Sequence, residues 1–143
     1  MKSRRIVIRH PNKKELVLWV VDSEQWPRAC LRAELIERGF DPYGFITISD
    51  ALDSLSRTES SKPEVIILEL REQNLTTELV QAIRNLGIPT ILLGGNPELN
   101  EPFIQQEKWE IVLKRPVSLG KIADVVQEIV SKHRTGALDR KSG

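Results

Sequence analysis

Apolar positions in this chain fall into short continuous blocks separated by stretches of helical spacing. Leu16 to Val21, LVLWVV, is an unbroken apolar run of the kind expected for a strand covered on both faces. Gln25 to Arg38 favours helix, with Trp26, Cys30 and Ala33 along one stripe and Gly39 as the C′ stop. Tyr43 to Ile48 predicts a second strand between turn-forming residues, and Ser49 then caps a short helix to about Arg57 with Ala51, Leu52 and Leu55 inward. Residues 56–63 form a polar connector. The apolar run that follows ends in a carboxylate, Glu69, at the carboxyl end of a third predicted strand.

A helix follows from about Thr76 to Leu86, where Leu75, Leu79, Ile83 and Leu86 recur at helical spacing and Gly87 ends it. Pro89 to Leu93 reads as strand four, with Gly94, Gly95 and Asn96 as the turn after it. Pro97 and Pro102 forbid one long helix across the next stretch, which leaves a short helix around Pro102 to Gln106. Glu110 to Lys114 supplies strand five. Ser118 caps a last helix whose stripe is Leu119, Ile122, Val125, Val126, Ile129 and Val130. Five strands alternating with helices predict a doubly wound α/β fold: a parallel sheet, right-handed crossovers and helices on both faces. The expected division is a basic N-terminal arm at 1–14, one domain at 15–131 and a basic tail at 132–143.

Composition narrows the function classes. A length of 143 residues with 40% hydrophobic content suits a single core. No apolar stretch approaches the roughly 20 residues that span a bilayer, and the N-terminus lacks a signal-like apolar region, so a cytoplasmic protein without membrane contact is expected. Residues 1–14 carry +6 and residues 131–143 carry +3, which leaves −8 on residues 15–130. Such basic ends can hold nucleic acid, but solvated tails are the simpler reading, and a nucleic-acid partner is not the favoured one.

Cys30 stands alone, so there is neither an internal disulfide nor a Cys-rich metal site. His10 and His133 lie outside residues 15–130, so Ser23 has no histidine base and a serine-hydrolase reading fails. Neither G-x-G-x-x-G nor G-x-x-x-x-G-K-[ST] is present, which removes the common nucleotide-binding loops.

The carboxyl ends of parallel strands are where open α/β sheets place their ligands. At those ends stand Val21-Asp22-Ser23-Glu24, Glu64 to Leu70, Ile88-Pro89 through Gly94-Gly95, and Val112-Leu113-Lys114-Arg115-Pro116-Val117. Taken in order, these segments resemble the V-V-D-D-E, D-hh-h-h-D-L, I-P-V-I-x-[TS]-A and [YF]-x-x-K-P-F motifs of response-regulator receiver domains, over about residues 15–131. The resemblance implies a flavodoxin-like sheet of order 2-1-3-4-5 and a role in two-component signalling. It also implies a pocket in which paired acids hold Mg²⁺, an Asp accepts a phosphoryl group, a hydroxyl and a Lys contact that group, and an aromatic acts as a switch.

Most of those positions depart from the family pattern. Asp22 is retained, but Ser23 stands for the second acid, Glu69 for the acceptor Asp, Gly94 for the hydroxyl, Arg115 for the Lys and Val112 for the switch aromatic. A neutral hydroxyl weakens a site for a cation that prefers carboxylates in octahedral geometry. A Glu carboxylate sits one methylene further out, and a misplacement of about 1 Å costs about a hundredfold in rate. Phosphotransfer is therefore expected to be lost, with no catalytic residue and no cofactor; any metal would use Asp22 and Glu69.

Two fates of the pocket are open: an ion pair between Glu69 and the planar fork of Arg115 across it, or drift on a retained scaffold. Lys114 is the competing cation. The expected function is a non-enzymatic, phosphorylation-independent protein-interaction module that binds a signalling partner in trans. A homodimer through strand five and the last helix is a further option, and Phe103 and Trp109 are candidates for a partner face or for capping the core. The alternative within the same fold is a phosphorelay receiver with Mg²⁺ on Asp22 and Glu24.

Overall fold

The computed structural model describes residues 15–57 and 61–142, with side chains described as far as His133. The arm at 1–14 thus lies outside the described residues. Eleven elements follow one another: β1 Val17–Val21, α1 Gln25–Glu37, β2 Asp41–Phe45, α2 Ile48–Ser54, β3 Val65–Glu69, α3 Thr77–Asn85, β4 Thr90–Gly94, α4 Asn96–Leu99, α5 Pro102–Gln105, β5 Ile111–Lys114 and α6 Leu119–Ser142. The strands form one parallel sheet in the order β2-β1-β3-β4-β5.

Two apolar layers enclose the sheet because consecutive side chains of a strand point to opposite faces. Leu18, Val20, Val65, Ile67 and Ile91 meet Leu31 and Leu35 of α1 and Ile122, Val126 and Ile129 of α6 on one face. Trp19, Val21, Ile66, Leu68 and Leu92 meet Ile48 of α2, Val80 and Ile83 of α3, and Ile104 of α5 on the other. Trp19 is fully buried and stacks edge-on against Phe45, with ring centroids 5.5 Å apart.

Four local expectations are corrected. The sheet-facing stripe of α1 is Leu31 and Leu35, whereas Trp26 is 78% exposed, Ala33 is exposed and Cys30 is half-buried. Pulled back to Asp41–Phe45, the second strand includes Pro42, which an edge strand tolerates because one of its sides needs no ladder donor. Thr47, not Ser49, caps α2, its Oγ1 accepting from the Asp50 N–H at 3.1 Å, and the helix stops at Ser54. The turn after β4 tightens into a single helical turn, α4, with Pro97 in its second position, while the short helix expected around Pro102 to Gln106 is α5, with Pro102 in its first position; at both places a missing N–H costs nothing.

Ser118 does cap α6, accepting from the Lys121 N–H at 3.1 Å. The backbone of α6 continues helical through Ser142 and so includes the tail residues from Lys132 onward.

Candidate functional site

Register brings the ends of four strands to one edge of the sheet. Glu69 closes β3 beside Leu93, and Gly94 closes β4 beside Lys114. Asp22 follows β1 directly, its N–H donating to the Phe45 carbonyl, while Arg115 follows β5, its N–H donating to the Gly94 carbonyl at 2.8 Å. The Arg115–Pro116 peptide is cis. Asp22, Ser23, Glu69, Gly94 and Arg115 therefore surround one small region.

Glu69 is 3% exposed, and two guanidinium groups flank it. Arg115 Nε lies 3.1 Å from Glu69 Oε1, while Arg115 Nη2 donates to Glu98 Oε1 at 2.8 Å. The fork therefore does not close bidentately on Glu69: Nε is buried and makes no hydrogen bond, and the second arm reaches α4. Lys114 is exposed, so Arg115 is the cation at this carboxylate. Glu69 Oε2 accepts the Arg71 backbone N–H at 3.0 Å.

Arg71 carries the second guanidinium, and the motif comparison passed over it. Its Nη2 lies 3.3 Å from both Asp22 oxygens, its Nε 3.5 Å from Glu24 Oε2, and its Nη2 4.0 Å from Glu69 Oε1. Arg71 stands two residues past Glu69. Alternate residues of an extended chain share a face, and that spacing was the available signal. No comparable signal marked Glu98, which lies in the proline-broken segment.

The rest of the site is tied down locally. Asp22 Oδ1 accepts the Glu24 N–H at 2.9 Å, and Arg28 Nη1 donates to the Asp22 carbonyl at 2.7 Å. The Ser23 hydroxyl donates to Glu72 Oε1 at 3.0 Å. Gly94 is buried beneath Leu70 and Leu99: a Cβ placed there would lie 3.3 Å from Leu70 Cδ1 and 3.3 Å from Leu99 Cγ and Cδ2.

These residues do not fit Mg²⁺. A guanidinium stands among Asp22, Glu24 and Glu69, a serine replaces the second acid, and among the described residues no group of three or more His, Cys, Asp or Glu is disposed to hold a metal.

Burial is the largest influence on Glu69 and raises its carboxyl above the usual carboxylate range; the Arg71 N–H, Arg115 and the Arg71 guanidinium pull it down, and Asp22 pushes it up. Burial wins because the Arg115 contact is not a hydrogen bond and the Arg71 nitrogen is distant. A carboxyl raised in the folded state contributes stability below its unfolded value, about pH 4.3, and that contribution is lost as pH rises through the folded value. Glu69→Gln should therefore gain on the wild type in thermal melts taken upward from about pH 4 to about pH 7. A wild type that gains on the variant over that window would mean that the guanidinium groups outweigh burial.

The remaining candidates lie away from this centre. Val112 is 48% exposed on β5 and does not reach the site. Trp109 is half-buried against the core, its Nε1–H donating to the Ile104 carbonyl at 2.8 Å and the Arg84 guanidinium lying 5.3 Å from its ring centroid. Those contacts hold one side of the Trp109 ring on the core. Phe103, also half-buried, lines a cleft beside the site.

The sequence matches no protein-family model and no curated protein. The fold, in contrast, is shared with many solved structures. A response regulator receiver protein from Pseudomonas putida superposes with a TM-score of 0.68 at 24% identity, covering 81% of this chain and 98% of that one. A response regulator receiver domain protein from Methanospirillum hungatei JF-1 gives 0.71 at 16% identity, with 86% and 99% covered. A structure described as adenylate cyclase from Rhodopirellula baltica gives 0.72 at 16% identity, with 90% and 96% covered. The architecture is that of receiver domains, and no helix among the described residues is long and apolar enough to cross a membrane.

Proposed function

We propose that this receiver-fold chain is a non-catalytic interaction module of bacterial signal transduction, acting on a protein partner in trans without accepting phosphate. One observation carries the reading: the region in which receivers exchange a phosphoryl group is filled from within, by Arg71 against Asp22 and Glu24 and by Arg115 against Glu69 and Glu98. A phosphoryl donor entering there would have to displace two guanidinium groups that already have anionic partners. The nucleophile would then be a carboxylate 3% exposed, with leucine side chains lying over Gly94, where a hydroxyl would be needed. What the module offers a partner is its outer surface, set rigidly by the sheet.

The test is direct. Incubated with acetyl phosphate and Mg²⁺ and weighed intact, the protein should keep its mass; a gain of about 80 Da, one phosphoryl group, would establish the phosphorelay alternative instead.

A further inference from the structure

Beside the arginine-filled site lies a cleft of about 330 Å³ between the loop after β3 and the turns α4 and α5. It opens where Pro97 and Pro102 divide the chain into helical turns of four residues each. Leu70 and Ile104 are buried beneath it and Phe103, half-buried, forms an apolar wall. The charged residues that line it are Glu72, Glu98 and Glu101, with no Lys or Arg beside them among the described residues.

These three charges are unequally answered. Glu98 Oε1 accepts from Arg115 Nη2 at 2.8 Å and from the Gly95 N–H at 2.6 Å. Glu72 accepts from a neutral donor, the Ser23 hydroxyl, and exposed Glu101 forms no ion pair among the described residues. Two uncompensated carboxylates thus stand over an apolar floor, within a stretch, residues 15–130, that carries −8. A field of that sign draws cations and repels acidic ligands.

The cleft is also set before anything enters it. Gln73, beside Glu72, is 6% exposed; its side-chain oxygen accepts the Ile48 N–H at 2.9 Å and its amide donates to the Ile46 carbonyl at 3.0 Å. The loop that carries Glu72 is thereby tied to the start of α2. On the other side the hydrogen bonds of Glu98 hold α4. Walls fixed in this way lower the ordering cost of binding.

An apolar floor rimmed by carboxylates matches a polypeptide segment with an apolar side chain next to a basic one. A buried apolar anchor supplies affinity, and the charges around it supply selectivity. We propose that this cleft receives the module's protein partner through such a segment, its apolar side chain on Phe103 and Ile104 and its Lys or Arg toward Glu72 and Glu101. The assignment rests on the reading of the chain as an interaction module and names the chemistry of what it binds.

Titration of the full chain with the peptide acetyl-Arg-Leu-Phe-Arg-amide, followed by backbone amide NMR shifts, tests it. The amides of Gln73, Phe103 and Ile104 should shift saturably. With acetyl-Gln-Leu-Phe-Gln-amide the affinity should be about fivefold lower, the size expected for losing two exposed ion pairs. The peptides acetyl-Glu-Leu-Phe-Glu-amide and acetyl-Arg-Gly-Gly-Arg-amide should not bind there.

The Glu72→Gln/Glu101→Gln variant should bind the arginine peptide about fivefold more weakly and the glutamine peptide as the wild type does. Its fold is expected to persist, since glutamine still accepts from Ser23 and the Glu101 side chain makes no cap hydrogen bond on α5. An absence of saturable shifts at these amides overturns the proposal, as does equal binding of the arginine and glutamine peptides or an unchanged affinity in the variant. Shifts produced by protein concentration alone would assign the cleft to a second copy and overturn it too. Failure here is separable from failure of the functional reading: a protein that gains about 80 Da from acetyl phosphate yet binds the arginine peptide keeps the cleft and loses the phosphate-free role.

Discussion

Arg71→Ala should lower the melting temperature by about 8–12 °C and, in the same protein, create a response to divalent cations that the wild type lacks. The first effect follows from what the guanidinium neutralises. Asp22 is 7% exposed and Glu69 3% exposed, and Arg71 lies 3.3 Å from both Asp22 oxygens and 4.0 Å from Glu69. Removing one partner of a buried pair leaves the other charged and poorly solvated, at about 3–5 kcal/mol when burial is complete. A quarter of the Arg71 side chain remains exposed, which reduces the expected cost to about 2–3 kcal/mol.

The second effect follows from what is left behind. Without Arg71, Asp22 and Glu24 lose the cation that neutralises them and Glu69 keeps only Arg115, so the excess negative charge there draws a hard cation such as Mg²⁺ or Mn²⁺. A cation present at about ten times its dissociation constant returns about 1.4 kcal/mol, so added Mg²⁺ should raise the variant's melting temperature by about 5 °C. The wild type should not respond. Equal stabilisation of both proteins by Mg²⁺ would show that the acids already accept a metal with Arg71 in place, and the interpretation of a pocket closed from inside would fall.

Gly94→Thr restores the residue class that receivers use at this position, and it is expected to destabilise by about 1–3 kcal/mol. Its Cβ alone would sit 3.3 Å from Leu70 Cδ1 and 3.3 Å from Leu99 Cγ and Cδ2, closer than leucine methyls normally approach, before the hydroxyl and methyl are added. The hydroxyl would enter a largely apolar space, while the better strand propensity of Thr returns up to about 1 kcal/mol. Leu99→Ala clears part of that space. In a double-mutant cycle the two changes should therefore couple favourably by about 0.5–3 kcal/mol. A threonine accepted without cost, or a coupling near zero, would show that the leucines do not close the pocket over Gly94.

Much of the fold was legible because short strands covered on both faces need continuous apolar runs, and LVLWVV, VIILEL and PTILL leave few alternatives. The errors share a cause. On α1 several apolar residues are available, and the pattern offered Trp26, Cys30 and Ala33 as readily as Leu31 and Leu35; the chosen stripe depends on how the crossover lays the helix against β1, β2 and α6. The edge of β2 moved because Pro42 is forbidden in a central strand and harmless at an edge, and strand order is a non-local property.

The candidate site shows the same division more sharply. The strand-end positions of Asp22, Glu69, Gly94 and Arg115 follow from counting along apolar runs, since a parallel sheet gathers the ends of its strands at one edge. The partners of those residues do not follow from it. Arg71 turns back from a loop onto Asp22, Glu98 reaches Arg115 from a single helical turn, and Leu70 and Leu99 meet over Gly94 from two separate segments. Period and polarity are properties of neighbouring residues and can be counted along a chain. Which charge meets which carboxylate is set by packing between segments tens of residues apart, and only the folded sheet brings them within a few ångströms.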